Sequence, residues 1–172
     1  MMAIMPGHIA ILVEEGYQDL EVWYPYYRLR EAGYETLLVG TGTSRHYTGK
    51  NGYPLEVQAE IGTIRAQDCV AVVIPGGWAP DKLRLSQAVL NFVREMDQTG
   101  KVVAAICHAG WVLASAGIAK GRTLTSFVAI RDDMIHAGAE WSNKEVVRDR
   151  NLITSRKPDD LPAFCRTILE AL

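Results

Sequence analysis

Cysteine is scarce in this chain of 172 residues: Cys69, Cys107 and Cys165 are all it has. They are odd in number, far apart and without a CxxC pair, which argues against a disulfide framework or a zinc site and fits a reducing cytoplasm. Charge of one sign is also lacking. Eighteen Lys and Arg stand against twenty Asp and Glu, and the net charge of −2 gives no electrostatic case for nucleic acid or an acidic membrane. No apolar stretch approaches the length of a membrane span. The opening MMAIMPG is too short, and lacks the basic start, for a signal peptide. Repeats, low-complexity segments and linkers are missing too. What remains is ordinary globular composition, 48% hydrophobic and 22% charged, in a length that suits one domain over residues 1–172.

Short apolar runs alternate with helical patterns along the chain. His8–Val13 and Cys69–Ile74 read as strands buried on both faces, as does Val102–Ile106, and Tyr34–Gly40 reads as a further strand. Asp19 can cap a helix running to about Ala32, with Pro25 inside it as an expected kink and Gly33 as its stop. Asn51-Gly52 signals a hairpin within Thr48–Val57. Leu83–Thr99 predicts one helix with Leu85, Val89, Phe92, Val93 and Met96 on a single face. Phe127–Ala137 predicts another, followed by short strands at Glu145–Arg148 and Leu152–Thr154. The last helix begins at Pro158, and its apolar face is Leu161, Phe164, Cys165, Ile168, Leu169 and Leu172. This alternation argues an α/β fold with a mostly parallel sheet covered on both faces. In such a sheet ligands lie beyond the carboxyl ends of the strands. Three loops with unusual residues leave those ends: Glu14–Asp19, Pro75–Asp81 and Cys107–Gly110.

The last of these carries the chemistry. In Lys101–Gly117 (KVVAAICHAGWVLASAG) a buried strand runs into Cys107-His108, then into small residues and a short helix closed by Gly117. A thiol at such an elbow stands at the sheet edge beside helix amides. About 1–2 kcal/mol from a partly buried helix end would bring its pKa from about 8.5 to roughly 7. Cys107 is therefore the candidate nucleophile, and the His108 ring beside it a candidate base. Gly76-Gly77 gives a tight turn whose amides can also face an oxyanion. Cys69 and Cys165 read as small buried hydrophobes. His8, His46 and His136 are isolated and receive no role. Trp78 is either a pocket wall or plain packing.

Several stretches resemble the DJ-one/PfpI superfamily, closest to its PfpI branch of intracellular cysteine peptidases and stress proteins. They are DLEVWYPYYRLREAGYE at Asp19–Glu35, TGKNGY at Thr48–Tyr53, VVIPGGWAPDKLR at Val72–Arg84 and AAICHAGWVLASAG at Ala104–Gly117. KGRTLTS at Lys120–Ser126, DDMIHAGAEW at Asp132–Trp141 and TSRKPDDLPAF at Thr154–Phe164 continue the match. The resemblance implies a flavodoxin-like three-layer sandwich, a nucleophile elbow, and a dimer or higher homo-oligomer. It implies peptidase, glutathione-independent glyoxalase or deglycase activity on a peptide or small carbonyl substrate, with no metal or organic cofactor. Position by position, the nucleophile falls on Cys107, its neighbour on His108, and the oxyanion amides on Gly77 and His108. The family's acid, supplied by the neighbouring subunit, falls on Asp81, one methylene shorter than usual. A glutamate usual near the sulfur falls on position 18, which here is Gln18. The usual tyrosine is Phe127, and the usual glycine-proline after the histidine is Ala109-Gly110.

A glutamine can donate a hydrogen bond but cannot pass a proton, so this alignment predicts weakened turnover. It leaves room for a non-enzymatic redox sensor or stress chaperone working through Cys107 oxidation, or a structural oligomer with a vestigial site. The elbow also resembles that of glutamine amidotransferases. Those carry a late histidine and glutamate, and no HxE stands near the carboxyl terminus here.

Overall fold

The computed structural model describes residues 7–172; the opening residues 1–6, read above for a signal sequence, lie outside it. The elements follow the chain as β1 (His8–Val13), α1 (Asp19–Glu31), β2 (Thr36–Gly40), β3 (His46–Thr48), β4 (Pro54–Glu56) and β5 (Ala59–Glu60). Next come β6 (Cys69–Ile74), α2 (Ala79–Leu83), α3 (Gln87–Gln98), β7 (Val102–Ile106), α4 (Gly110–Ala116) and β8 (Thr123–Leu124). The chain closes with α5 (Arg131–His136), β9 (Glu140–Trp141), β10 (Val146–Asp149), β11 (Leu152–Ser155) and α6 (Leu161–Ala171).

Seven strands form one sheet in the order β10-β11-β7-β6-β1-β2-β5, parallel except for β10 at the edge. β1, β6 and β7 hold its centre, and most of their residues are fully buried. That explains why they read as unbroken apolar runs, since a strand sandwiched between helices has no wet face. Helices α1 and α6 pack together on one side, while α2, α3 and α4 cover the other. The result is the expected α/β sandwich. No helix is long and apolar enough to cross a membrane among the described residues.

Three details differ from the sequence reading. The single helix expected over Leu83–Thr99 is two, because Ser86 leaves the helical conformation and its hydroxyl caps α3 by accepting from Val89 N–H at 3.3 Å. Leu85 falls in that break and is 82% exposed instead of facing the core. Gln18, not Asp19, caps α1, its side-chain oxygen accepting from Glu21 N–H at 3.0 Å. The buried Asp19 carboxylate instead accepts from the N–H groups of Asn51 (2.8 Å) and Tyr53 (3.0 Å), clamping the turn between β3 and β4 to the start of α1.

Candidate active site

Three loops meet at the carboxyl edge of the central strands, and backbone hydrogen bonds stitch them together. Gln18 N–H donates to the Gly76 carbonyl (3.1 Å), Trp78 N–H to Gly16 (2.8 Å) and Lys50 N–H to Tyr17 (2.7 Å). Gly77 can follow this path because its φ is 77°, a conformation that a side chain would strain.

Cys107 follows β7 with φ 63°, left-handed although it carries a side chain. Backbone strain of this kind persists only where the surroundings over-determine it. The Cys107 carbonyl accepts from Phe127 N–H at 3.2 Å. Against the thiol lies Gly76, so close that a Cβ there would stand 2.7 Å from Cys107 Cβ and 2.9 Å from Sγ. The amides of His108 and Gly77 lie near enough to the sulfur to favour its charged form. They are the same two amides the resemblance designates for an oxyanion.

The acid beside the sulfur is Glu21. It sits in the first turn of α1, wholly buried, with Oε2 accepting from Gly76 N–H at 2.7 Å. Its other oxygen is buried without a regular hydrogen-bond partner, and the carboxyl interacts with the Cys107 thiol. Burial pushes Glu21 up to about 7, against the pull of the Gly76 N–H, the thiol and Lys50. The alignment that put a glutamine where this acid belongs is thus corrected. Gln18 lines the pocket but spends its side-chain oxygen on the helix cap, while Glu21, one helical turn on, faces the sulfur.

The expectation of a thiol brought down to roughly 7 is also overturned. Burial, then the Glu21 charge, pushes Cys107 up to about 12, and the His108 and Gly77 amides only moderate it. A short 3₁₀ turn at Cys107–Ala109 separates the sulfur from α4, and the residue is only 8% exposed. Cys107 and Glu21 therefore titrate as a pair. With one proton removed, the remaining one can sit on sulfur or on carboxyl.

His108 Nδ1 lies 3.2 Å from Sγ, and its ring is stacked on Phe127 with centroids 5.0 Å apart and set edge-on to Trp111. Burial, helped by the Lys50 charge, lowers its pKa, so the imidazole is neutral at pH 7. Asp81, in the first turn of α2, is exposed and lines the pocket of its own chain. Trp78 is 63% exposed at the rim, with the Lys50 ammonium 5.9 Å from its ring centre. The pocket encloses about 560 Å³. Cys69 and Cys165 are buried away from it and pushed up to about 11 and about 12 by burial.

Glu21 and Lys50 are among the site residues that sequence reasoning passed over. Glu21 had a signal: it shares a helix face with Val22, Pro25 and Leu29, all buried, and a carboxylate in such company needs a reason. Lys50 lies in a hairpin turn that sequence alone does not attach to the elbow.

An open parallel sheet with a strained cysteine at the turn into a helix, facing two amides and a buried acid, defines an α/β protein of the nucleophile-elbow class. The DJ-1/PfpI family profile matches residues 7–171, and the chain belongs to that family. It is 42% identical over 164 residues to Deglycase PfpI of Pyrococcus furiosus, covering 95% of this chain and 98% of that protein. It is 38% identical over 168 residues to the protein named putative cysteine protease YraA of Bacillus subtilis, covering 98% and 99%. The crystal structure of Drosophila melanogaster DJ-1beta superposes with a TM-score of 0.91 at 28% identity, covering 98% of this chain and 91% of that one.

Proposed function

We propose that this protein is a cysteine-dependent enzyme that converts reactive dicarbonyls or their adducts on amines into hydroxy acids. The observation that carries the reading is Glu21. A buried carboxyl held by Gly76 N–H, set against a nucleophilic sulfur and pushed up to about 7, can take and return a proton near neutrality. Relatives named deglycase point the same way.

With methylglyoxal as substrate, Sγ adds to the aldehyde carbon while the thiol proton passes to the Glu21 carboxylate. The carbonyl oxygen becomes an oxyanion that the Gly77 and His108 amides face, and protonation gives a hemithioacetal. The hydrogen on the former aldehyde carbon then leaves as a proton to neutral His108, its electron pair forming an enediol with the neighbouring carbonyl. The hemithioacetal hydroxyl proton, first delivered by Glu21, passes back through the Glu21 carboxylate to the neighbouring oxygen, and His108 returns the proton it took to the neighbouring carbon, which leaves a thioester of lactate with both groups as they began. Water cleaves the thioester and restores the thiol. The aldehyde carbon is oxidised and its neighbour reduced, so no outside redox partner is needed. An amine adduct follows the same course with release of the amine. A peptide substrate would use the same nucleophile and oxyanion amides without the proton shift. We assign Asp81 of a neighbouring subunit, in a dimer or larger homo-oligomer, to orient His108. The redox-sensor alternative uses the same sulfur, and a Cys107 that peroxide oxidises no faster than Cys69 and Cys165 removes it.

Lactate formation from methylglyoxal and from a methylglyoxal-treated N-acetyl amino acid tests the reading. Turnover is expected from the native protein, absent in Cys107→Ala, and lower by about 10²–10⁴ in Glu21→Gln. Gln18→Glu is expected to bring no gain, since the acid is already present at Glu21. No turnover of either substrate by the native protein overturns the proposal.

A further inference from the structure

The chain carries a net negative charge, yet its pocket is rimmed by Lys50, Lys82 and Lys157 against one exposed acid, Asp81. The three lysines are not equivalent. Lys157 pairs with Asp159 at 3.2 Å. Lys82 also lines a second hollow on the side of Glu14, whose carboxylate its charge helps to stabilise. Lys50 has no carboxylate within salt-bridge distance among the described residues, and its charge acts inward on both Glu21 and His108. The ammonium rests over Trp78, where cation and ring make one wall of the pocket.

The backbone fixes that position. Lys50 N–H is tied to the Tyr17 carbonyl, and the next residues to the buried Asp19 carboxylate. An unpaired cation held over a half-enclosed pocket interacts with a charged substrate without first breaking a bond of its own.

We propose that Lys50 makes this site selective for electrophiles that carry a negative charge, with a carboxylate on the reacting molecule as the group recognised. The inference rests on the reading of Cys107 as the reactive thiol, and it names the substrate class: carbonyl adducts of molecules with a free carboxylate in preference to neutral ones. A carboxylate that comes within about 6 Å of that ammonium, in surroundings between protein and water, is expected to be favoured by about tenfold.

Iodoacetate and iodoacetamide supply a matched pair of probes. Each forms an S–C bond at Cys107 and expels iodide, and they differ in one charge. Intact-protein mass spectrometry with peptide mapping gives the rate for each at Cys107, and the ratio of the two cancels any change in thiol ionisation. Lys50→Gln is expected to lower the iodoacetate-to-iodoacetamide ratio about tenfold, and Lys50→Arg to preserve it. Raising salt from about 0.02 M to about 0.5 M is expected to shrink the native preference toward that of the Gln variant. Because Lys50 is exposed and holds its loop through its backbone, the variant keeps the fold, which an unchanged melting temperature checks. A ratio within twofold of native in Lys50→Gln overturns the proposal, as does an equal fall in Lys157→Gln. These alkylation results stand apart from turnover. A protein that fails to convert methylglyoxal but shows the Lys50-dependent ratio loses the enzymatic reading and keeps this one.

Discussion

Glu21 and Cys107 occupy one dry space, so a charge on either raises the cost of a charge on the other. The reactive form of the pair has lost one proton, and its population grows as pH rises through about 7, the value to which Glu21 is pushed. The kcat/KM profile of the native enzyme is therefore expected to rise through neutrality, and Glu21→Gln to lack that limb. Stability carries the same signature with a definite sign. Glu21 titrates in the folded protein above its ordinary 4.5, so between the two values the native state keeps a proton that the unfolded chain has released. Native stability is lost as pH rises across that window and is level above it. The gap amounts to roughly 3 kcal/mol that Glu21→Gln does not lose. Urea midpoints at about pH 5 and about pH 8 measure it, and parallel curves for the two proteins would refute it. His108 has the opposite sense, its lowered pKa removing stability as pH falls below 6.5, but it is common to both proteins and drops out of the difference.

The site is assembled from the ends of elements: the β6–α2 turn, the β7–α4 turn and the first turn of α1. Gly76 is where all three touch. A methyl group there would stand 2.7 Å from both Glu21 Oε2 and Cys107 Cβ. Gly76→Ala is expected to cost about 1–3 kcal/mol and to reduce turnover at least as much as Glu21→Gln, read from melting and lactate assays. A variant with native activity would show that the acid and the thiol need not be adjacent. The elements themselves were legible because their signals are local. Buried strands write themselves as runs such as VVAAI, and the cysteine elbow as small residues between a strand and a helix. The short β8–β9 pair and the break at Ser86 were not, since two-residue strands and a capped kink leave no periodicity to read. The acid was misplaced for a different reason. Positions 18 and 21 are nearly one helical turn apart, and a count along the chain does not say which of them the helix axis aims at the sulfur.

For the whole molecule, the open question is how many chains make one site. Asp81 lines its own chain's pocket, while the family resemblance assigns its counterpart to a neighbour. Mixing Cys107→Ala with Asp81→Asn, each expected to lose turnover alone, after joint unfolding and refolding separates the cases. If the acid crosses the interface, hybrid dimers pair an intact Cys107 with an intact Asp81, and about a quarter of native activity returns. If it acts within one chain, the mixture stays inactive. Size-exclusion chromatography of the same sample reports whether an assembly forms at all.

Gly76 also bears on how such a protein can change over generations. Nucleophile, acid and glycine come from three distant stretches of sequence, yet each is packed against the other two. A single replacement at any of them meets the unaltered pair and is expected to lose most of the turnover. The side chains of Trp78, Lys82 and Lys50 are exposed around the opening and bind nothing that the nucleophile requires in order to stay in place. Substitution at those rim side chains is expected to redraw the entrance while leaving the reacting groups behind it where they are.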